Sequence, residues 1–147
     1  MIAVADTSPL IALAKIERVD VIDALFAQIF IPRVVFDEFS TNSYKLELKH
    51  LQSYRNKLIN VVDNPQDSAF KRVLDNGEKA VLSLAKSYKV QVLLMDDKKA
   101  RNEALEHDFK PISTRALLLA AERMGIIHDH VKLVDQMHRK GVYAPDY

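Results

Sequence analysis

Asp6, Glu38, Glu78 and the pair Asp96-Asp97 are the residues whose type and placement could do chemistry. Asp6 follows four apolar residues, Ile2 to Ala5, that read as a short buried strand. A carboxylate at the carboxyl end of a first buried strand stands where open α/β sheets place their ligand crevice. It cannot be hidden there cheaply without a partner or a metal. Asp96 and Asp97 end a second buried run, Val90 to Met95, so in a parallel sheet they share an edge with Asp6. Glu78 starts a helix after a turn containing Gly77, and the helix dipole favours a carboxylate at that end. Glu38 comes from the helix after the second strand and reaches in from the side. Its neighbour Asp37 points about 100° away around the helix. Carboxylates gathered on one edge repel unless protonated or bridged by a cation. With oxygen ligands and no cysteine, the suitable cation is hard, Mg²⁺ or Mn²⁺. One or two such ions, about 3.5–4 Å apart in two-metal sites, hold a phosphodiester, activate a water and stabilise the leaving oxygen.

The elements that must position these groups follow from the apolar pattern. Ser8 is a good N-cap and Pro9 a good first helical residue. Leu10, Ile11, Leu13, Ala14 and Ile16 then make an almost wholly apolar, buried helix. Asp20 caps a second short helix. Gln28 to Ile31 reads as a strand closed by Pro32, which opens the helix carrying Glu38. Residues 41–57 are polar and predict a helix or ordered excursion that forms a solvated clamp or dimer edge. Leu58 to Val62 is a strand, and Asp63-Asn64-Pro65 its turn. Gln66 to Leu74 is a weak helix candidate. Asp75-Asn76-Gly77-Glu78 is a turn into a strong helix, Glu78 to Tyr88, with Ala80, Val81, Leu84 and Ala85 inward. A charged helix runs from Asp97 to about His107, and Lys110 to Ser113 is a last short strand. Thr114 caps a helix to Met124, stopped by Gly125, and Val131 to Lys140 is a final amphipathic helix. The closing GVYAPDY reads as loosely held. Strands apolar on both faces alternating with helices predict a parallel sheet covered on both sides, in one domain over residues 1–147.

Composition removes several alternatives. The 48% hydrophobic and 28% charged balance is that of a globular domain, and the longest apolar runs are too short to span a bilayer. No leader pattern opens the chain. The absence of cysteine rules out disulfides and thiolate metal sites and suits the cytoplasm. A net charge of +1 gives no global pull toward nucleic acid, so binding would need a local patch or bound metal. With three glycines and no G-x-G-x-x-G or G-K-[ST], phosphate-cradling loops are excluded.

The segments ADTSPLIALAKI, IPRVVFDEF, NGEKAVLSLA and VLLMDDKKAR, in this order, resemble the PIN domain, most closely the VapC-like and related prokaryotic members. The resemblance covers about residues 2–127. It implies a Rossmann-like three-layer α/β/α sandwich with a central parallel sheet. It also implies an Mg²⁺- or Mn²⁺-dependent ribonuclease giving 3′-hydroxyl and 5′-phosphate ends, often the toxin of a toxin–antitoxin pair and often a homodimer. Carried over by position, Asp6 matches the first PIN aspartate and Glu38 the acidic residue after the second strand. Glu78 stands where many members have Asp. Either Asp96 or Asp97 matches the last acidic position. Counting back to Glu78 favours Asp96, and the family's Thr-x-Asp pattern favours Asp97. Ser8 matches a small hydroxyl residue near the site. Leu94 and Met95 replace the usual threonine, which places the chain nearer a less characterised branch with D-D-x-x-x-R.

Competing readings are weaker. Asp6 could simply cap a helix, but Ser8 fills that role. Glu78 could be a dipole partner and Glu38 a surface residue. Arg101 is expected to hold a site carboxylate in place, whereas Lys98 and Lys99 read as a solvated helix start. His128-Asp129-His130 lacks a third partner for a metal. No serine–histidine–acid set stands out. A haloacid-dehalogenase-type phosphatase needs a second aspartate where Ser8 stands. A PIN-fold module that binds RNA or protein without cutting is the alternative to a nuclease. Val131, Val134 and Met137 offer a candidate dimer face.

Overall fold

The computed structural model describes residues 1–55 and 57–147; Asn56, at the end of the expected polar excursion, lies outside them. Five short strands form one all-parallel sheet: β1 (Ile2–Ala5), β2 (Gln28–Pro32), β3 (Ile59–Val62), β4 (Val92–Leu94) and β5 (Lys110–Ile112). Their order is β3-β2-β1-β4-β5. The described helices are α1 (Thr7–Lys15), α2 (Asp20–Leu25), α3 (Arg33–Phe39), α4 (Lys45–Gln52), α5 (Asn76–Tyr88), α6 (Lys98–Glu106), α7 (Thr114–Arg123) and α8 (His130–Arg139). A 3₁₀ turn, Asn42–Tyr44, precedes α4. None of these helices is long and apolar enough to cross a membrane.

Side chains alternate across a strand, so a strand buried at every position must be covered on both faces. Ala3, Val4 and Ala5 on β1 and Leu93 and Leu94 on β4 are all fully buried. The helices therefore flank the sheet as an α/β/α sandwich. The chain runs outward from β1 through β2 to β3, then returns to place β4 on the other side of β1, with Ala3 opposite Val92 and Ala5 opposite Leu94. That reversal is a topological switch point, and the crevice at the carboxyl ends of β1 and β4 is its consequence. The Asp6 amide donates to the Leu94 carbonyl at 2.9 Å, which closes the seam where the crevice begins.

The structure corrects several local expectations. Asp6, not Ser8, caps α1: its Oδ1 accepts from the Thr7 amide, and the helix starts at Thr7. Pro32 ends β2 instead of opening α3. Asp20 is the first residue of α2, whose cap position is Val19. Ser113, not Thr114, caps α7. Residues 66–74 form no helix. Their backbone satisfies itself against other elements: the Ser68 amide donates to Ser83 Oγ at 3.0 Å, and the Lys71 and Arg72 amides donate to the Glu103 carboxylate at 3.3 and 2.9 Å. Glu103 has no exposed surface; burial opposes its ionisation, but those amides, Arg72 and His107 hold its carboxyl at about 2. Val134 and Met137 are core residues and only Val131 of that trio is exposed, so the three do not form a free face.

The closing stretch is anchored, not loose. Ala144 and Pro145 are buried, and Arg115 donates to the Pro145 and Ala144 carbonyls at 2.8 and 3.3 Å. Ser113 Oγ donates to the Tyr147 carbonyl, and the Tyr147 hydroxyl donates to the Asp96 carbonyl.

Candidate metal centre

Asp6 reaches the crevice from the end of β1, half-buried above the sheet. Burial is the main reason its carboxyl rises from 3.8 to about 7; the Thr7 amide opposes the rise, and the charges of Asp75, Glu78 and Glu38 add to it. Glu38 comes from the last turn of α3. The Thr7 hydroxyl donates to its Oε2 at 2.6 Å, so one residue of α1 orients two carboxylates.

The start of α5 completes the wall. Asp75 and Glu78 form a reciprocal capping box: the Glu78 amide donates to Asp75 Oδ1 at 2.7 Å, and the Asp75 amide donates to Glu78 Oε1 at 2.9 Å. Gly77 lies between them, buried. A β-carbon on it would stand 3.1 Å from Glu38 Oε1 and 3.5 Å from both Asp6 Oδ1 and Asp75 Oδ1. Three carboxylates from three elements thus gather around Gly77, and of them only Glu38 would have to give way to a β-carbon there. Burial lifts the Glu78 carboxyl to about 7, against the bond from the Asp75 amide; the charges of Asp75 and Asp97 and a hydrogen-bonding contact with Asp97 push the same way.

The two aspartates after β4 have different jobs. Asp96 is buried, and both its oxygens are taken at 2.7 Å, one by the Thr114 amide and one by the Thr114 hydroxyl. Burial raises its carboxyl pKa despite those bonds and the nearby Arg101 charge. Asp97 is exposed, caps α6 through the Ala100 amide at 2.9 Å, and faces Glu78. The geometry therefore groups Asp97 with Asp6, Glu38, Asp75 and Glu78, and ties Asp96 to the β5–α7 junction. Among the described residues Arg101 pairs with no carboxylate. It donates to the Met95 carbonyl at 3.4 Å and lies over the Tyr147 ring at 4.9 Å. Ser8 is exposed on a neighbouring cleft, and the hydroxyl that touches a site carboxylate is that of Thr7.

Among the described residues, no lysine, arginine or histidine pairs with any of these five carboxylates. An all-oxygen donor set uncompensated by protein cations has the chemistry that suits a hard divalent cation, although among the described residues no three of these carboxylates bring oxygens within 4.8 Å of one another, so an ion would have to draw them together. A family model described as a PIN domain (DUF3368) matches residues 2–147. The chain belongs to the PIN-domain family. A search of curated proteins finds no match.

Two residues of this PIN domain's site were not singled out by the sequence. Asp75 reads as part of a turn, although D-x-x-E before an apolar run is a capping-box signal. Thr7 has no sequence signal beyond its place between Asp6 and Ser8. A second group, Glu122, Asp129 and His130, brings its ligand atoms within 4.8 Å of one another, so His130 does have a further acidic neighbour in the folded PIN domain. One oxygen of each of its carboxylates is engaged locally: Asp129 caps α8 through the Val131 amide at 3.0 Å, and Glu122 accepts from the His130 amide at 3.0 Å and meets Nδ1 at 3.1 Å. That group fixes the α7–α8 corner.

Proposed function

We propose that this PIN domain is a divalent-metal-dependent endoribonuclease that hydrolyses RNA phosphodiester bonds. The observation that carries the reading is the convergence of Asp6, Glu38 and Asp75 on the space at Gly77, at the switch point of the sheet. Asp6, Glu78 and Asp97 would hold Mg²⁺ or Mn²⁺, with Glu38 and Asp75 beside them. A bound ion supplies Lewis acidity toward the phosphodiester and makes a water more acidic. The protein's own contribution is orientation. Thr7 fixes Asp6 and Glu38 relative to each other, the capping box fixes Asp75 and Glu78, and the Ala100 amide fixes Asp97. Each carboxylate keeps at least one oxygen beyond these bonds for a ligand. In the same reading the domain acts as the toxin of a toxin–antitoxin pair and as a homodimer, parts that rest on the family resemblance, and it works in the cytoplasm, a part that rests on the absence of cysteine.

The test pairs binding with cleavage. Mn²⁺ binding is followed by calorimetry, and cleavage of end-labelled structured RNAs is followed with Mg²⁺, Mn²⁺ or EDTA. Asp6→Asn should abolish metal-dependent cleavage and weaken Mn²⁺ binding while circular dichroism is unchanged. Full cleavage by Asp6→Asn, or cleavage unaffected by EDTA, would overturn the reading. Retained RNA binding without cleavage at any metal concentration would favour a binding module.

A further inference from the structure

The turn that delivers Asp97, Met95-Asp96-Asp97, is held by groups from further along the chain. Thr114 takes both side-chain oxygens of Asp96 at 2.7 Å. Arg101 donates to the Met95 carbonyl at 3.4 Å. The Tyr147 hydroxyl donates to the Asp96 carbonyl, and the Arg101 guanidinium lies over the Tyr147 ring at 4.9 Å. The Asp96 carbonyl and the Asp97 nitrogen belong to one planar peptide unit. A bond to that oxygen therefore fixes the plane from which the Asp97 side chain departs.

Tyr147 is itself set by the residues on either side of Thr114. Ser113 Oγ donates to the Tyr147 carbonyl, and Arg115 donates to the Pro145 and Ala144 carbonyls at 2.8 and 3.3 Å. The bonds close a ring: the Asp96 side chain binds Thr114, Ser113 binds the Tyr147 main chain, and the Tyr147 hydroxyl returns to the Asp96 main chain. Ser113 and Arg115 already tie the closing stretch to the β5–α7 junction, so the hydroxyl bond acts mainly on the turn. Asp97 has use for that support. Its side chain is exposed and is tied to the fold through Oδ2, which accepts from the Ala100 amide at 2.9 Å. Its charge also opposes that of Glu78 across the crevice, and the two repel until a cation lies between them.

We propose that Tyr147 is a positioning residue for Asp97: through the Asp96–Asp97 peptide it holds that carboxylate where a divalent cation can bridge it to Glu78. The proposal rests on the metal-centre reading. An ion that must draw carboxylates together binds more tightly for every one already in place. The gain from one bond cannot exceed what that bond is worth, which for a hydrogen bond of ordinary net strength is about fivefold in affinity.

The test uses Mn²⁺ alone. Free Mn²⁺ is read by electron paramagnetic resonance, with titrations carried to millimolar concentrations so that weakened variants stay measurable. Thermal unfolding is followed on the same samples. Tyr147→Phe removes the hydroxyl and keeps the ring over Arg101. It should weaken Mn²⁺ binding about fivefold, while the metal-free unfolding midpoint falls by no more than about 4 °C. The loss of affinity should vanish in an Asp97→Asn background and persist in a Glu38→Gln background, as action through Asp97 requires. Unchanged Mn²⁺ affinity in Tyr147→Phe, or an equal loss in both backgrounds, would overturn the positioning role and leave the metal centre standing. No Mn²⁺ binding by wild type would remove both. A fivefold loss that depends on Asp97, in a protein that cuts no RNA, would uphold the role of Tyr147 and remove the nuclease reading.

Discussion

Gly77 and Glu38 approach so closely that a β-carbon on the glycine would lie 3.1 Å from Glu38 Oε1. Gly77 sits in the first turn of α5, where alanine is the better helix former by about 1 kcal/mol. Gly77→Ala should therefore leave the metal-free fold as stable as wild type or slightly more so. The added methyl should push Glu38 aside while meeting Asp6 only at van der Waals distance, and Mn²⁺ binding should weaken about tenfold, an order-of-magnitude figure for a disturbed ligand set. Thermal unfolding and calorimetric titration of one sample separate the two effects.

The carboxyls of Asp6 and Glu78 rise to about 7 in the folded protein. Because their folded values lie above the unfolded ones, their protonated forms favour folding. Their contribution is fully present below about pH 4 and is lost as pH rises through about 7. Glu103 acts in the opposite sense, but only where pH falls from its ordinary value toward about 2. Metal-free protein should thus lose stability from these two groups between pH 5 and pH 8, as read by urea denaturation at several pH values. Mn²⁺ affinity should rise over the same window with proton release, measurable by calorimetry in buffers of different ionisation enthalpy.

Asp96→Asn and Asp97→Asn should fail differently. Asp96 holds Thr114 through two bonds of 2.7 Å inside the protein, so its amide variant should cost about 2 kcal/mol of stability. Asp97 is exposed, and asparagine can still cap α6, so Asp97→Asn should keep its unfolding midpoint while losing Mn²⁺ affinity. Denaturant melts beside metal titrations check both.

Glu103→Gln tests the connection that delivers Asp75. The variant keeps an acceptor for one loop amide but loses the charge that Arg72 approaches at 3.2 Å. A loss of about 2 kcal/mol is expected. Hydrogen exchange at the Lys71 and Arg72 amides should quicken, and Mn²⁺ affinity should fall less than in Gly77→Ala.

The strand ends were legible because β1 and β4 are apolar on both faces, which only a covered parallel sheet explains. Asp6 and the Asp96-Asp97 pair followed from that, as did Glu78 from its helix start. What decides between Asp96 and Asp97 is not local: Thr114 lies eighteen positions downstream of Asp96 and claims both of its oxygens. The open space at Gly77 depends on how α3 packs against α5, and no spacing encodes that. Residues 66–74 carry enough helix formers to suggest a helix, yet the buried Glu103 offers their amides better partners. The closing GVYAPDY has no periodicity, so its anchoring by Arg115, Ser113 and Asp96 appears only in the folded chain.

β1 is the central strand of the sheet: one neighbour, β2, begins at Gln28, but the other, β4, begins ninety residues after Ile2, at Val92. A chain still emerging from the ribosome has Asp6 without Leu94 to seat it and without Asp97 opposite. The stretch from Gly141 to Tyr147, held by Arg115, follows later still. The order of synthesis alone thus keeps the crevice open on one side until β4 and Asp97 have been made, a delay that matters for a protein whose proposed substrate includes the class of molecule directing its own synthesis.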